Sequence, residues 1–329
     1  MNTDPRSASD LAVVYDSQIK GKIVLTTGVS PGGIGAAFVA GIARAQPALL
    51  ILAGRNPTKV QQTADVVSAT SVKVRTLELD LASLSAVRAA AEKVNGWDDV
   101  PRIDVIVNNA GVMAIGWVPT PEGYDSQLVA NHLGPFLFTN LLMGKILKSS
   151  APRVVIVTSD GHRLSPFRFD DYNFRDGKFY NKWLSYGQSK TANMLMAISL
   201  AEKLGTKYNL SAFSVQPGLV ATNLGGHLKL FGEDDSDMKL MRDIDRLMGN
   251  AIGWAGFDGI VACTPEVGAN THMYAAFDPG VAAHNGVYLI SCRVADPRID
   301  TVRPWATSPV EAERLWKLSE KLVGQKFSY

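Results

Sequence analysis

Tyr186 and Lys190 stand four residues apart in Tyr186-Gly187-Gln188-Ser189-Lys190. Of the nine tyrosines only Tyr186 is followed by lysine at that distance. Positions i and i+4 of a helix share a face, so the spacing brings an ammonium beside a phenol. A phenol has a pKa of about 10 and exchanges its proton poorly near neutrality unless a neighbouring cation stabilises the phenolate. The pair suits general acid/base work at oxygen, with Tyr186 giving a proton to a carbonyl or taking one from an alcohol. The competing reading is an ion-bearing helix surface. Ser159 follows the apolar run 154–158, and its hydroxyl can donate to an oxygen on which negative charge is growing. Thr158 is the rival at that strand end, since neighbouring side chains point to opposite faces. Asn131 lies inside a helical pattern, where an amide is a mediocre helix former and needs a reason. His162, three residues after Ser159, reads as a hydrogen-bonded loop residue rather than a substrate contact. The five histidines show neither His-Glu-x-x-His nor Cys/His ligand spacing, so no metal is expected.

A second group lies upstream. Thr27-Gly28-Val29-Ser30-Pro31-Gly32-Gly33-Ile34-Gly35 follows an apolar run and opens a helical pattern. Glycines in that position let the backbone approach a pyrophosphate, and the free N–H groups of the helix N-terminus meet its charge. The turn therefore reads as a dinucleotide site, the alternative being an ordinary strand-to-helix turn that needs glycine for positive φ. The second apolar run ends in Ala53-Gly54-Arg55-Asn56 with no acidic residue. An acid there would take ribose hydroxyls, whereas Arg55 offers a planar fork to a 2′-phosphate, so NADP is preferred over NAD, which remains the second choice. Asp80 can accept from an adenine amino group, cap the turn to Ser83, or do both.

These groups need a frame. Apolar runs at 22–26, 49–53, 72–77, 103–107, 154–158, 211–215 and 287–291 alternate with helical patterns beginning near Ile34, Pro57, Leu84, Gly123 and Leu184. Asn56 before Pro57 and Ser83 before Leu84 read as N-caps. Such alternation predicts an α/β, Rossmann-type, doubly wound parallel sheet of seven strands with helices on both faces. Residues 1–329 are expected to form a single domain with a core at about 20–292. An insert at 223–263 should place short amphipathic helices over the site. A helical tail, 295–329, should include a helix opened by a Ser308/Glu311 capping box. Apolar residues make up 46% of the chain and the formal net charge is +2 without a basic block, which excludes wholesale disorder and argues against a nucleic-acid surface. Cys263 and Cys292 are too few and too far apart for a disulfide framework or a CxxC site. The polar start, 1–10, lacks an apolar signal core, and no apolar run approaches a membrane span, so a cytoplasmic location is expected.

The order and approximate spacing of Thr27 to Gly35, Asn108-Asn109-Ala110-Gly111, Asn131, Ser159, Tyr186 to Lys190 and Pro217-Gly218 resemble the short-chain dehydrogenase/reductase family over about residues 20–292. Asn131-His132-Leu133-Gly134-Pro135-Phe136, the long gap from Ser159 to Tyr186, and Thr264-Pro265-Glu266-Val267-Gly268-Ala269 resemble its retinol-dehydrogenase-like and WW-domain-oxidoreductase-like branch, a look shared by fungal and plant reductases. One departure is that four residues rather than three separate Gly28 from Gly33, which predicts a slightly bulged loop. The resemblance implies a catalytic set of Asn131, Ser159, Tyr186 and Lys190, with Ser159 chosen over Thr158. It gives Lys190 a second role on the nicotinamide ribose and makes Asn131 a helix kink that holds a water passing protons to Lys190. It lays the cofactor along Gly28, Ser30, Gly32, Gly33, Ile34 and Gly35, along Arg55, Asp80 and Leu81, and along Asn109, Ala110 and Gly111. Beyond them Pro217, Gly218, Val220 and the Thr222 hydroxyl would fix the nicotinamide carboxamide.

The combined expectation is an NADP(H)-dependent oxidoreductase that moves hydride between nicotinamide and a carbonyl/alcohol of a medium to large hydrophobic molecule. Phe167, Phe169, Phe174, Phe179, Tyr180 and Trp183, with Leu224, Leu228, Leu230 and Phe231, could wall an apolar pocket or pack the insert on the core. Two other functions compete, a conjugated C=C reductase of the same fold and a non-catalytic NADP-binding scaffold or redox sensor. Many relatives form a homodimer or homotetramer through the helices carrying Asn131 and Tyr186, and the branch resembled here includes monomers.

Overall fold

The computed structural model describes residues 3–230, 232–250 and 261–329. Phe231 and the 251–260 part of the expected insert lie outside them. One sheet runs through the chain in the order β3-β2-β1-β4-β5-β6-β7-β8. Its strands are β1 (Ile23–Thr27), β2 (Leu49–Gly54), β3 (Val74–Glu78), β4 (Val105–Asn108), β5 (Arg153–Val157), β6 (Ser211–Gln216), β7 (Tyr288–Ile290) and β8 (Arg293–Val294). The pairs from β3 across to β7 are parallel, as the seven apolar runs predict, and only β8 pairs antiparallel. The eighth strand corrects the expected count of seven. Two residues are too short to show a period, and the chain reverses through Ser291 and Cys292, both at positive φ.

Alternation along each strand separates two cores. Ile23, Leu25, Leu49, Ile51, Val154 and Ile156 face one side, packed under helices Leu84–Asn95, Gly134–Leu141, Lys182–Tyr208 and Pro309–Val323. Val24, Leu50, Leu52, Val105, Val107 and Val155 face the other, under Ala8–Val14, Ile34–Ala43, Pro57–Ser68 and Asn270–Phe277. Burial on both faces explains why the runs read as continuous apolar stretches. Each fully buried Val, Leu or Ile contributes about 1.5–3 kcal/mol from leaving water. The helix starts follow local chemistry. Asn56 accepts from Lys59 N–H at 3.0 Å and Ser83 from Ala86 N–H at 3.3 Å, as expected of N-caps.

Other boundaries move. The pattern near Gly123 becomes helical only at Ser126, after Gly123 turns at φ +82° and Asp125 caps Gln127. The helix expected near Leu184 starts at Lys182, because Asn181 accepts from the N–H groups of both Trp183 and Leu184. Ser308 accepts from Glu311 N–H at 3.3 Å, one arm of the expected box. The polar N-terminus hides a helix, Ala8–Val14, with a full Ser7/Asp10 capping box and Leu11 buried in the second core. The tail helix lies against the segment carrying Asn131 and the helix carrying Tyr186: Trp316 meets Phe136 edge-on at 4.9 Å, His132 Nε2 lies 2.8 Å from Ser319 Oγ, and Lys203 pairs with Glu313.

Candidate active site

The sheet reverses its winding between β1 and β4, and in open α/β sheets ligands bind outside the carboxyl ends of the strands at such a point. The glycine-rich turn leaves β1 there. Gly33 N–H donates to Ser30 O at 3.1 Å, with Pro31 at the second turn position and Gly32 at φ +73° at the third. The residue in excess of the family spacing is absorbed in this tight turn, which Pro and a positive-φ glycine favour. Gly28 has φ +74°, and a Cβ on it would lie 2.6 Å from Ala110 Cα. A Cβ on Gly35 would lie 2.5 Å from Asn109 Nδ2 and 2.6 Å from Gly28 O. Helix Ile34–Ala43 begins at Gly33 without a side-chain cap, so its first N–H groups face the turn unoccupied by protein side chains. Open space over Gly32, close helix–strand approach and an uncapped N-terminus suit a pyrophosphate.

The remaining cofactor candidates line the same edge. Thr27 Oγ1 accepts from the N–H groups of Asn109 and Ala110 at 3.1 and 3.0 Å, and Asn109 Nδ2 donates to Thr27 O and Gly28 O. Asn109 thus ties β4 to the glycine turn. Arg55 is exposed just beyond β2. Asp80 stands two residues past the end of β3 rather than closing it, and accepts from Ala82 N–H at 3.0 Å, the capping use. Leu81 is buried, and its carbonyl lies where a Cβ on Gly134 would be 2.3 Å away. After β6, Gly218 turns at φ +93°, Val220 packs on Gly268 and pairs with Cys263, and Thr222 Oγ1 accepts from Leu224 N–H.

Ser159, Tyr186, Lys190 and Asn131 come together at the ends of β4 and β5. Ser159 is an N-cap, its Oγ accepting from Gly161 N–H at 3.0 Å, and the Ser159 hydroxyl lies on the side of the Tyr186 phenol, where it favours the phenolate. Thr158 instead donates to Lys190 O at 2.7 Å, so its hydroxyl hydrogen is engaged by the backbone. Burial pushes Tyr186 up to about 12, partly opposed by the Ser159 hydroxyl. Burial pushes Lys190 down to about 8, and its Nζ donates to Val157 O at 3.2 Å. Nζ sits 5.5 Å from the centre of the Tyr186 ring. At that position burial outweighs the field expected to lower the phenol, so Tyr186 is protonated near neutrality.

Asn131 occupies a π-helical turn, Val129–Leu133, where Gly134 N–H reaches back to Val129 O. This is the expected interruption of the helix, of a kind often found at functional sites. Its Oδ1 accepts from Val112 N–H at 2.8 Å, and its Nδ2 donates to Val112 O and Ser189 Oγ, both at 2.9 Å. Both amide hydrogens are therefore used in clamping the loop after β4 to helix Lys182–Tyr208. A Cβ on Gly111 would lie 3.1 Å from Asn131 Oδ1 and 3.5 Å from Lys190 Nζ.

Two residues escaped the sequence reading. Gly161 admits the phenol, since a Cβ there would lie 2.6 Å from Tyr186 Cε1. Ser189 holds Asn131 from the middle of the Tyr-to-Lys motif. A glycine two residues after Ser159 was the only available sign of the first. The expected apolar walls divide. Trp183, Leu164, Ala114, Met238, Met241 and Ile244 pack with Tyr186 in one cluster, joined by Leu228 and Leu230, under the insert helix Ser236–Leu247. Phe167 and Phe169 belong to the sheet core, Phe174 is buried, and Phe179 is 64% exposed, so the aromatic residues mostly pack the loop rather than line a pocket. His162 is buried, its Nδ1 lying 2.9 Å from Ser159 O and its ring edge-on to Tyr288, as a structural loop histidine would be.

The short chain dehydrogenase family matches residues 22–173. Retinol dehydrogenase 14 of Mus musculus is 35% identical over 318 residues, covering 92% of this chain and 86% of that protein. Short-chain dehydrogenase/reductase prx1 of Penicillium rubens is 33% identical, covering 93% and 86%. Among solved structures, an uncharacterized protein from Mycobacterium paratuberculosis superposes with a TM-score of 0.66 at 26% identity, covering 94% of this chain and 96% of that one. A short chain dehydrogenase from Escherichia coli CFT073, solved with NADPH, shares the fold with a TM-score of 0.58 at 21% identity, covering 84% and 98%. No described helix is long and apolar enough to cross a membrane. The chain belongs to the short-chain dehydrogenase/reductase family and is an oxidoreductase acting between CH–OH and C=O.

Proposed function

We propose that the protein is an NADPH-dependent carbonyl reductase acting on a ketone or aldehyde of a medium to large apolar molecule, with Tyr186 as proton donor. The observation that carries this reading is a phenol held protonated by burial and sharing its helix face with buried Lys190, whose Nζ lies 5.5 Å from the centre of the Tyr186 ring. When bound, the dinucleotide supplies the hydride. Ser159 and Tyr186 hold the carbonyl oxygen by their hydroxyls and stabilise the charge that builds there, and the Tyr186 phenol then gives up its proton. Lys190 keeps a positive charge beside the phenolate so formed. Asn131 acts by position, setting the Val112 loop against Ser189. The glycine turn and the open helix N-terminus suit the pyrophosphate, while Arg55, exposed beyond β2 where no acid stands, supports preference for a 2′-phosphate. The apolar cluster under the insert supports an apolar substrate, as do relatives named retinol dehydrogenase.

Tyr186→Phe is expected to abolish NADPH-linked turnover over a panel of apolar aldehydes and ketones while NADPH still binds by fluorescence titration. Turnover near the wild-type rate would refute the assignment. With an enone, the allylic alcohol is the expected product, and a saturated ketone would move the activity to the C=C bond.

A further inference from the structure

Arg163 sits on the short turn Asp160–Leu164, of which Ser159 is the N-cap. Its guanidinium reaches the insert 82 residues away. Nε donates to Asp245 Oδ1 at 2.7 Å and Nη2 to Asp245 Oδ2 at 2.9 Å. Asp245 is 0% exposed. It lies on helix Ser236–Leu247, beside the stripe Met238, Met241 and Ile244 that packs in the cluster containing Tyr186. The same guanidinium approaches Asp160 Oδ2 at 3.3 Å and Thr301 Oγ1 at 3.4 Å. Asn250 also donates to Asp245, and Arg303 donates to Asn250. Arg303 N–H and Trp305 Nε1–H meet His162 Nε2 and His162 O, at 3.4 and 3.1 Å. The Ser159 turn, the insert and the C-terminal segment thus converge on one part-buried, two-point ion pair whose carboxylate is fully buried.

We infer that Arg163 and Asp245 are positioning residues, a latch that seats the insert helix in one register over Tyr186 and holds the turn carrying Ser159. The kinetic part of this inference rests on the reductase reading above. An apolar stripe tolerates sliding and tilting, because burial is non-directional. A bidentate guanidinium–carboxylate pair does not, since it has one geometry, and lifting the helix away would leave a carboxylate without its counter-charge. Seating the roof and setting Ser159 are thereby one event. The dinucleotide edge, on β1, β2, the loop after β4 and the segment 217–222 after β6, contains neither member of the pair.

The test uses the full chain with NADPH and an apolar carbonyl substrate, comparing Asp245→Asn, Asp245→Glu and the charge-swapped Arg163→Asp/Asp245→Arg double variant. Asp245→Asn should raise KM and lower kcat together, with kcat/KM down by about tenfold or more. NADPH affinity should stay within about twofold, because the cofactor edge is untouched. Amide exchange in 236–247 should speed up selectively, and Asp245→Glu or the swapped pair should recover part of both losses. The inference is overturned if exchange in 236–247 is unchanged, or if Asp245→Asn loosens the whole molecule uniformly with no rescue by Glu. Should the wild type reduce no carbonyl at all, the reductase reading fails, and selective exchange in 236–247 still decides the latch.

Discussion

Replacing Lys190 by methionine, a side chain of similar length without charge, should stabilise the protein while destroying its activity. Lys190 is 5% exposed, and among the described residues its ammonium makes one direct hydrogen bond, to Val157 O at 3.2 Å, and pairs with no carboxylate. Burial moves its pKa from 10.5 down to about 8. At about 1.4 kcal/mol per pH unit, holding the charged form in the fold costs roughly 3 kcal/mol. The sign follows from proton counting. Below pH 8 the amine is charged folded and unfolded, and the cost is present in full. Between 8 and 10.5 only the unfolded chain stays charged, so the cost fades as pH rises, and above 10.5 it is gone. Lys190→Met should therefore be more stable than wild type at pH 7 by up to about 3 kcal/mol, with the advantage much reduced at pH 10. Urea unfolding followed by tryptophan fluorescence at the two pH values measures both. A variant no more stable at pH 7, or a gap that does not shrink with pH, would refute the reasoning. Loss of turnover in the same variant would mark the buried charge as a cost retained for function.

Three further outcomes follow from the site and core. Gly161→Ala puts a Cβ 2.6 Å from Tyr186 Cε1, so the phenol must shift; kcat should drop on the order of a hundredfold with NADPH affinity kept, and unchanged kcat would mean the ring has room to spare. Arg55→Glu should turn the ratio of kcat/KM for NADPH over NADH toward NADH, and an unaltered ratio would remove Arg55 from phosphate recognition. Burial pushes His132 and His272 down to about 3, so between pH 6.5 and 3 the unfolded chain binds protons that the fold refuses. Stability should fall with pH in that window by up to about 1.4 kcal/mol per unit for each histidine. His272→Leu, which also removes two unpartnered ring nitrogens, should flatten the slope in urea midpoints taken from pH 7 to 5.

What the sequence by itself determined is what local spacing encodes. Continuous β-branched runs marked strands buried on both faces, glycines after the first run marked a tight strand-to-helix turn, Asn56 and Ser83 marked helix starts, and the i, i+4 interval put Lys190 on the face of Tyr186. These depend on backbone geometry within a few residues, so they survive without knowledge of the partners. The tertiary structure decided which atoms meet across the chain. It turned Thr158 onto Lys190 O and Ser159 onto Gly161 N–H, used up the Asn131 amide hydrogens on Val112 and Ser189, and gave His162 to Ser159 O and the C-terminal segment. It also joined Arg163 to Asp245 and added β8 and the N-terminal helix to the frame. Such pairings are set by how elements pack, and their energies depend on burial that no single segment contains. The phenol's proton is the plainest case: spacing alone predicts a lysine that lowers its pKa, and the packed interior raises it to about 12.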